Sequence, residues 1–184
     1  MLDAIFFLDG DSFAGRSGIE AALRRRLEPH ARRWIGQNDL IALAGAAGFD
    51  RDQERRLATL EHAMREAAGE RTLLIGRSSG ARVATRLAML RPVTAVVCLG
   101  YPFRKPNRPP EPERFAHLAT IATPTLILQG EADPYGGRNV AEDYRLSPLV
   151  TVEFVATDHQ FGATGPQWNG MAQRILAFCA ALPD

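Results

Sequence analysis

The sequence is poor in the features that mark several broad protein classes. Only two cysteines, Cys98 and Cys179, occur in 184 residues, and neither has metal-ligand or redox spacing. A disulfide framework is excluded, and a reduced, cytoplasmic setting is the expectation. Excess charge of one sign is also missing: 22 Lys+Arg face 21 Asp+Glu for a net +1, which gives no case for a nucleic-acid or anionic-membrane partner. Lys105 is the only lysine. The arginines at 24–26, 32 and 33 read as a solvated face rather than a partner patch. Long hydrophobic runs are absent as well. The amino-terminal one, residues 4–8, is far short of the roughly 20 residues that span a bilayer, and the absence of a basic stretch before it argues against a signal peptide. No repeat or linker breaks the chain. What remains is an ordinary globular composition, 46% hydrophobic and 23% charged, with a length suited to one domain over residues 1–184.

Strand and helix signals alternate along that length. Strand-like runs fall at residues 4–8, 32–35, 72–75, 93–99, 125–129 and 150–155. Helical segments fall between them at 17–27, 51–68, 79–90, 137–144 and 167–182, the second carrying Leu57, Leu60, Met64 and Ala67 as an apolar stripe. The order predicts an α/β fold: a mostly parallel sheet of about six strands with helices on both faces. One stretch, 101–112, holds five prolines and is irregular. It follows a strand end, where ligands bind in open α/β sheets, so it reads either as an ordered loop shaping a site or as an exposed connector.

The chemistry concentrates at Gly76-Arg77-Ser78-Ser79-Gly80, placed between a buried strand and a helix. A Gly-x-Ser-x-Gly turn in that context is a nucleophile elbow, which lifts a serine hydroxyl above the sheet edge. As a bare pattern it is weak; the flanking strand and helix confirm it. A serine needs a base, and the base an acid to hold its tautomer; this architecture places them in the order serine, acid, histidine. Asp133 follows the strand at 125–129 and His159 the strand at 150–155. Glu131 is the rival acid, and Asp158, beside His159, reads as a turn residue. His30, His62 and His117 have no natural place at the sheet edge. The Ser79 N–H, at the start of the helix, is one expected oxyanion donor. The second is the Asp11 N–H in the first loop, Leu8-Asp9-Gly10-Asp11-Ser12-Phe13-Ala14-Gly15. The acidic residues there must be satisfied by hydrogen bonds or point away from a site that holds negative charge. Arg77, Arg104, Lys105 and Arg108 offer charge to an anionic substrate, though solvated loop positions are the plainer reading.

Residues 76–84, Gly100-Tyr101-Pro102, the run 124–130 with Asp133-Pro134, and Asp158-His159-Gln160-Phe161 together resemble the α/β-hydrolase superfamily. Within it the chain is most similar to small, lidless dienelactone-hydrolase-like proteins, including the testis-expressed protein 30-like branch. The resemblance covers roughly residues 70–182. It implies a compact fold without a cap domain, a Ser78–Asp133–His159 triad, and hydrolysis of small esters or thioesters with no cofactor and no metal. The amino-terminal part departs: family members usually carry His-Gly where this chain has Asp9-Gly10, which bears on the oxyanion hole. That loop motivates two alternatives. One is a catalytically weak or inactive hydrolase-fold binding protein. The other is a Mg²⁺-dependent phosphatase of the haloacid-dehalogenase type, for which the further acidic cluster is missing. The expected partner is a small-molecule ester or thioester, with no nucleic acid and no membrane; nothing in the sequence sets an oligomeric state.

Overall fold

Apolar runs with little polar alternation become strands buried on both faces. A computed structural model describes residues 1–12 and 18–182. Phe13, Ala14 and Gly15 of the first loop, and Ser17 at the expected helix start, lie outside the described residues. The strands are β1 (Leu2–Leu8), β2 (Ala31–Ile35), β3 (Thr72–Arg77), β4 (Ala95–Leu99), β5 (Thr125–Gly130) and β6 (Val150–Val155). They form one sheet in the order β2-β1-β3-β4-β5-β6, with every pairing parallel. The helices are α1 (Gly18–Leu27), α2 (Gln37–Leu43), α3 (Gln53–Ala67), α4 (Ser79–Ala88), α5 (Val140–Asp143) and α6 (Gly165–Ala180).

Alternation along β1 divides the core into two layers. Ala4, Phe6 and Leu8 pack with Leu40, Leu60, Val83 and Leu87, on the side of α2, α3 and α4. Ile5 and Phe7 pack with Ile19, Leu23, Trp168 and Ile175, on the side of α1 and α6. The chain runs from β1 outward to β2, then crosses back to β3 and continues to β6. Strand order therefore reverses between β1 and β3, and the carboxyl ends at such a reversal are where open α/β sheets bind ligands. The loops that end there begin at Asp9 and Ser78. Among the described residues there is no cap domain over this edge, and no helix is long and apolar enough to cross a membrane.

Three differences from the sequence expectation have local causes. The seven-residue α2 shows too little periodicity to be read; it starts where the Gly36 N–H donates to Asp39 Oδ2 at 2.9 Å. The expected helix at 137–144 is the single turn of α5, with both Glu142 and Asp143 N–H groups donating to the Asn139 carbonyl. β4 starts at Ala95 rather than 93, behind Pro92.

His117 lies in a 3₁₀ turn, Ala116–Ala119. Its Nε2 is 2.9 Å from Thr85 Oγ1, which itself donates to the Ala81 carbonyl. Burial, reinforced by Arg86 and Arg82, pushes its pKa from 6.5 down to about 4. Between those values the unfolded chain takes up a proton that the folded chain refuses, so stability falls as pH drops through that window. After allowance for partial exposure the loss is about 1–2 kcal/mol. Unfolding free energies from urea denaturation at pH 7 and pH 4.5 are expected to differ by that much more in the native protein than in His117→Asn.

Candidate active site

The serine comes from a sharp turn between strand and helix. Between β3 and α4, Ser78 takes φ 52° and ψ −120°, a strained conformation for a residue with a side chain. Its N–H donates to the Leu99 carbonyl at 3.0 Å. The flanking glycines let the turn close. A Cβ on Gly76 would stand 2.5 Å from the Ala81 backbone, and one on Gly80 would stand 2.4 Å from the Leu8 carbonyl oxygen. Ser78 remains half-buried at the carboxyl edge of the sheet.

Two further loops bring their side chains to this turn. His159 Nε2 is 2.9 Å from Ser78 Oγ, and His159 Nδ1 is 2.8 Å from Asp133 Oδ2. Asp133 is 3% exposed and His159 7%, so the chain of bonds sits largely out of water. The carboxylate is held at both oxygens. Gln129 Nε2 donates to Oδ2 at 2.9 Å, and the Tyr135 N–H donates to Oδ1 at 2.8 Å. The Tyr135 ring stacks on the imidazole, with centroids 4.2 Å apart. Such an arrangement fixes Nδ1 as the protonated nitrogen and leaves Nε2 free to accept from Ser78.

The rivals lie elsewhere. Glu131 pairs with Arg138 at 2.7 Å. Asp158 Oδ1 accepts the Gln160 N–H within its own turn. His30 and His62 are exposed, and His117 is bonded to Thr85. The proline-rich stretch divides between its two readings. Tyr101 and Phe103 are fully buried, and the Arg104 N–H donates to the Tyr135 carbonyl at 3.0 Å, so this part buttresses the Asp133 loop. Lys105 and residues 107–110 are exposed.

Gly100 sits behind the acid–base pair at φ +60°, where a Cβ would stand 2.8 Å from the Phe161 ring and 3.2 Å from Asp133 Oδ2. Gly100→Ala is expected to cost about 1–3 kcal/mol of stability, read by urea denaturation. Any hydrolytic activity should fall with it, because the displaced groups hold His159.

The first loop satisfies its acids by hydrogen bonds, one of the two outcomes the sequence required. Asp9 is fully buried, with its N–H donating to Gln37 Oε1 at 3.0 Å and its Oδ1 accepting the Gly10 N–H at 2.8 Å. Asp11 Oδ1 accepts from Arg56 Nη1 at 2.8 Å and from the Ser79 hydroxyl at 2.6 Å. The Asp11 N–H, expected as an oxyanion donor, here donates to Ser79 Oγ at 3.0 Å. The Ser79 N–H stands at the first position of α4, where a helix leaves N–H groups without an intrahelical partner.

Two arginines organise this corner. Arg77 is buried, not solvated as its loop position suggested. It is 2% exposed, its Nη2 donates to the His159 carbonyl at 3.1 Å, and its Nη1 lies where a Cβ on Gly10 would collide. Burial lowers its pKa, and Asp9 and Asp133 oppose that shift. Arg56 was missed altogether. It is 5% exposed, and it donates to Asp11, to Ser79 Oγ at 2.9 Å and to the Asp9 carbonyl, with its guanidinium 4.8 Å from the Phe49 ring centroid. Its signal lay in the helix period: Arg56, Leu60, Ala63 and Ala67 share one buried stripe of α3. No group of three or more His, Cys, Asp or Glu side chains among the described residues is arranged to hold a metal ion.

With this geometry in view, the family described as alpha/beta hydrolase domain matches residues 49–180. No curated protein matches the chain. Solved structures share its fold. A protein of the alpha/beta hydrolase superfamily from Xanthomonas campestris has TM-score 0.69 at 18% identity, over 95% of this chain and 98% of that one. A YdeN-like protein from Pectobacterium atrosepticum has TM-score 0.70 at 18% identity, over 99% and 94%. Mouse alpha/beta hydrolase domain-containing protein 10 has TM-score 0.71 at 16% identity, over 96% and 89%.

Proposed function

The chain belongs to the α/β-hydrolase family, and on that premise we propose that it is a serine hydrolase cleaving small carboxylic esters or thioesters through an acyl-enzyme on Ser78. The observation that carries the proposal is the continuous hydrogen-bonded path from Ser78 Oγ through His159 to Asp133. His159 Nε2 takes the hydroxyl proton as Oγ attacks the acyl carbonyl. Asp133 stabilises the imidazolium, which then gives that proton to the departing alcohol or thiol. Water, deprotonated by the same nitrogen, attacks the acyl-serine and frees the acid.

In this reading the oxyanion donors are the Ser79 and Asp11 N–H groups. The Asp11 N–H rests on the neutral Ser79 hydroxyl. A forming oxyanion is the better acceptor, because charge-assisted hydrogen bonds are roughly twice as strong as neutral ones. The donor therefore shifts to the oxyanion in the transition state, at some cost in rate. Arg56 and Arg77 neutralise the acidic loop, so Asp9 and Asp11 do not repel the developing charge. The half-buried serine and the uncapped edge suit short acyl groups. The same occupied donor supports the second reading, a binding protein of low activity.

Stopped-flow mixing with p-nitrophenyl acetate decides between them. The hydrolase reading predicts a p-nitrophenol burst stoichiometric with protein and a mass gain of one acetyl group on the Ser78 peptide. Steady release without an acylated peptide, or no release, favours the binding reading.

A further inference from the structure

Proton transfer from Ser78 makes His159 an imidazolium where another cation is already buried. The Arg77 guanidinium is 2% exposed and donates to the His159 carbonyl at 3.1 Å. Burial disfavours the Arg77 charge, and Asp9 and then Asp133 oppose that effect. Asp133 Oδ2 also accepts from Gln129 as well as from His159. One carboxylate therefore serves both cations, and like charges repel more strongly out of water than in it. A second source of negative potential at the imidazole lowers the barrier further.

The Tyr135 ring is placed to supply it. Its centroid lies 4.2 Å from that of the imidazole, with 28° between the planes. That is inside the roughly 6 Å over which an aromatic face attracts a cation. The loop beneath the ring is held at three points. The Tyr135 N–H donates to Asp133 Oδ1, the Tyr135 carbonyl accepts the Arg104 N–H, and the Gly136 carbonyl accepts from Gln129 Nε2. On residues 135 and 136 all three bonds are made by main-chain atoms, so a change of the ring leaves them in place.

We infer that Tyr135 is a positioning residue acting through His159: its π face stabilises the imidazolium formed in the transition state. The inference rests on the serine-hydrolase reading above. A neutral imidazole also stacks on the ring, so only the extra attraction for the cation speeds the reaction. His159 is 7% exposed, and desolvation strengthens that attraction.

The test reads the burst-phase acylation rate with p-nitrophenyl acetate while the electronics of the ring are varied. Position 135 carries phenylalanine, then mono-, di- and trifluorophenylalanine. Fluorine weakens the negative face and changes the size of the ring little. Tyr135→Phe keeps the face and is expected to acylate within about twofold of the native rate. Each added fluorine should lower the logarithm of the rate by a similar step, reaching a loss of about 3- to 10-fold in the trifluoro protein. Apparent substrate affinity should change less, and melting temperatures across the series should stay together. A ring that only packs against His159 gives no such slope. A flat series in an active protein, even with a slow Tyr135→Leu, overturns the inference and leaves the hydrolase reading intact. A native protein with no burst overturns both.

Discussion

Ser78→Ala is expected to lower kcat/KM for a short-chain ester by at least roughly 10⁴-fold while leaving thermal unfolding nearly unchanged. The hydroxyl forms the only bond to substrate in the proposed reaction, so its loss leaves whatever the oxyanion donors and binding supply. The fold has little to lose, because Ser78 is half-buried and, among the described residues, its Oγ bonds only His159. His159→Ala should cost about as much, and the double variant hardly more, since nucleophile and base act as one unit. Steady-state kinetics on the three variants, with urea midpoints as the control, provide the check. Additive losses would mean that the two side chains act separately.

The second large effect is expected at Arg56. Its guanidinium ties Asp9, Asp11 and Ser79 into one corner. Truncation to alanine removes all three bonds and opens a void beside Phe49. Breaking a buried ion pair costs about 3–5 kcal/mol. Asp11 is 41% exposed and regains water, so the lower end, about 3 kcal/mol, applies here. Freed from Arg56, the loop no longer holds the Asp11 N–H beside Ser79, where the proposed reaction uses it as an oxyanion donor. The turnover number should therefore fall on the order of 10- to 100-fold, with KM changed less. Arg56→Lys keeps the charge but not the fork, and should recover stability better than rate. Urea denaturation and a kcat-against-KM comparison of the two variants separate these roles; an unchanged kcat in both would contradict them.

The positions of Ser78, Asp133 and His159 were legible because each follows a short apolar strand, and parallel strands deliver their carboxyl ends to one edge. The alternation of strands and helices was legible for the same reason. α2 was not, since seven residues carry too little period. Gln37, which holds Asp9 from the start of that helix, went unseen with it. The burial of Arg56 and Arg77 was not legible because arginine in a helix or loop usually faces solvent. What buries them is charge on a distant segment, the Asp9–Asp11 loop, and no local pattern reports that pairing. The position of Arg56 on the stripe with Leu60 and Ala63 was the available clue. The departure at Asp9-Gly10 was visible in the sequence, but its resolution, acids neutralised by two buried arginines, needed the fold.

The most direct measurement is labelling of the purified protein with a fluorophosphonate probe, followed by peptide mapping. A single adduct on Ser78, absent from Ser78→Ala and from His159→Ala, is the predicted result. A native protein that stays unlabelled, or an adduct on any other serine, would contradict the claim that Ser78 is an activated nucleophile.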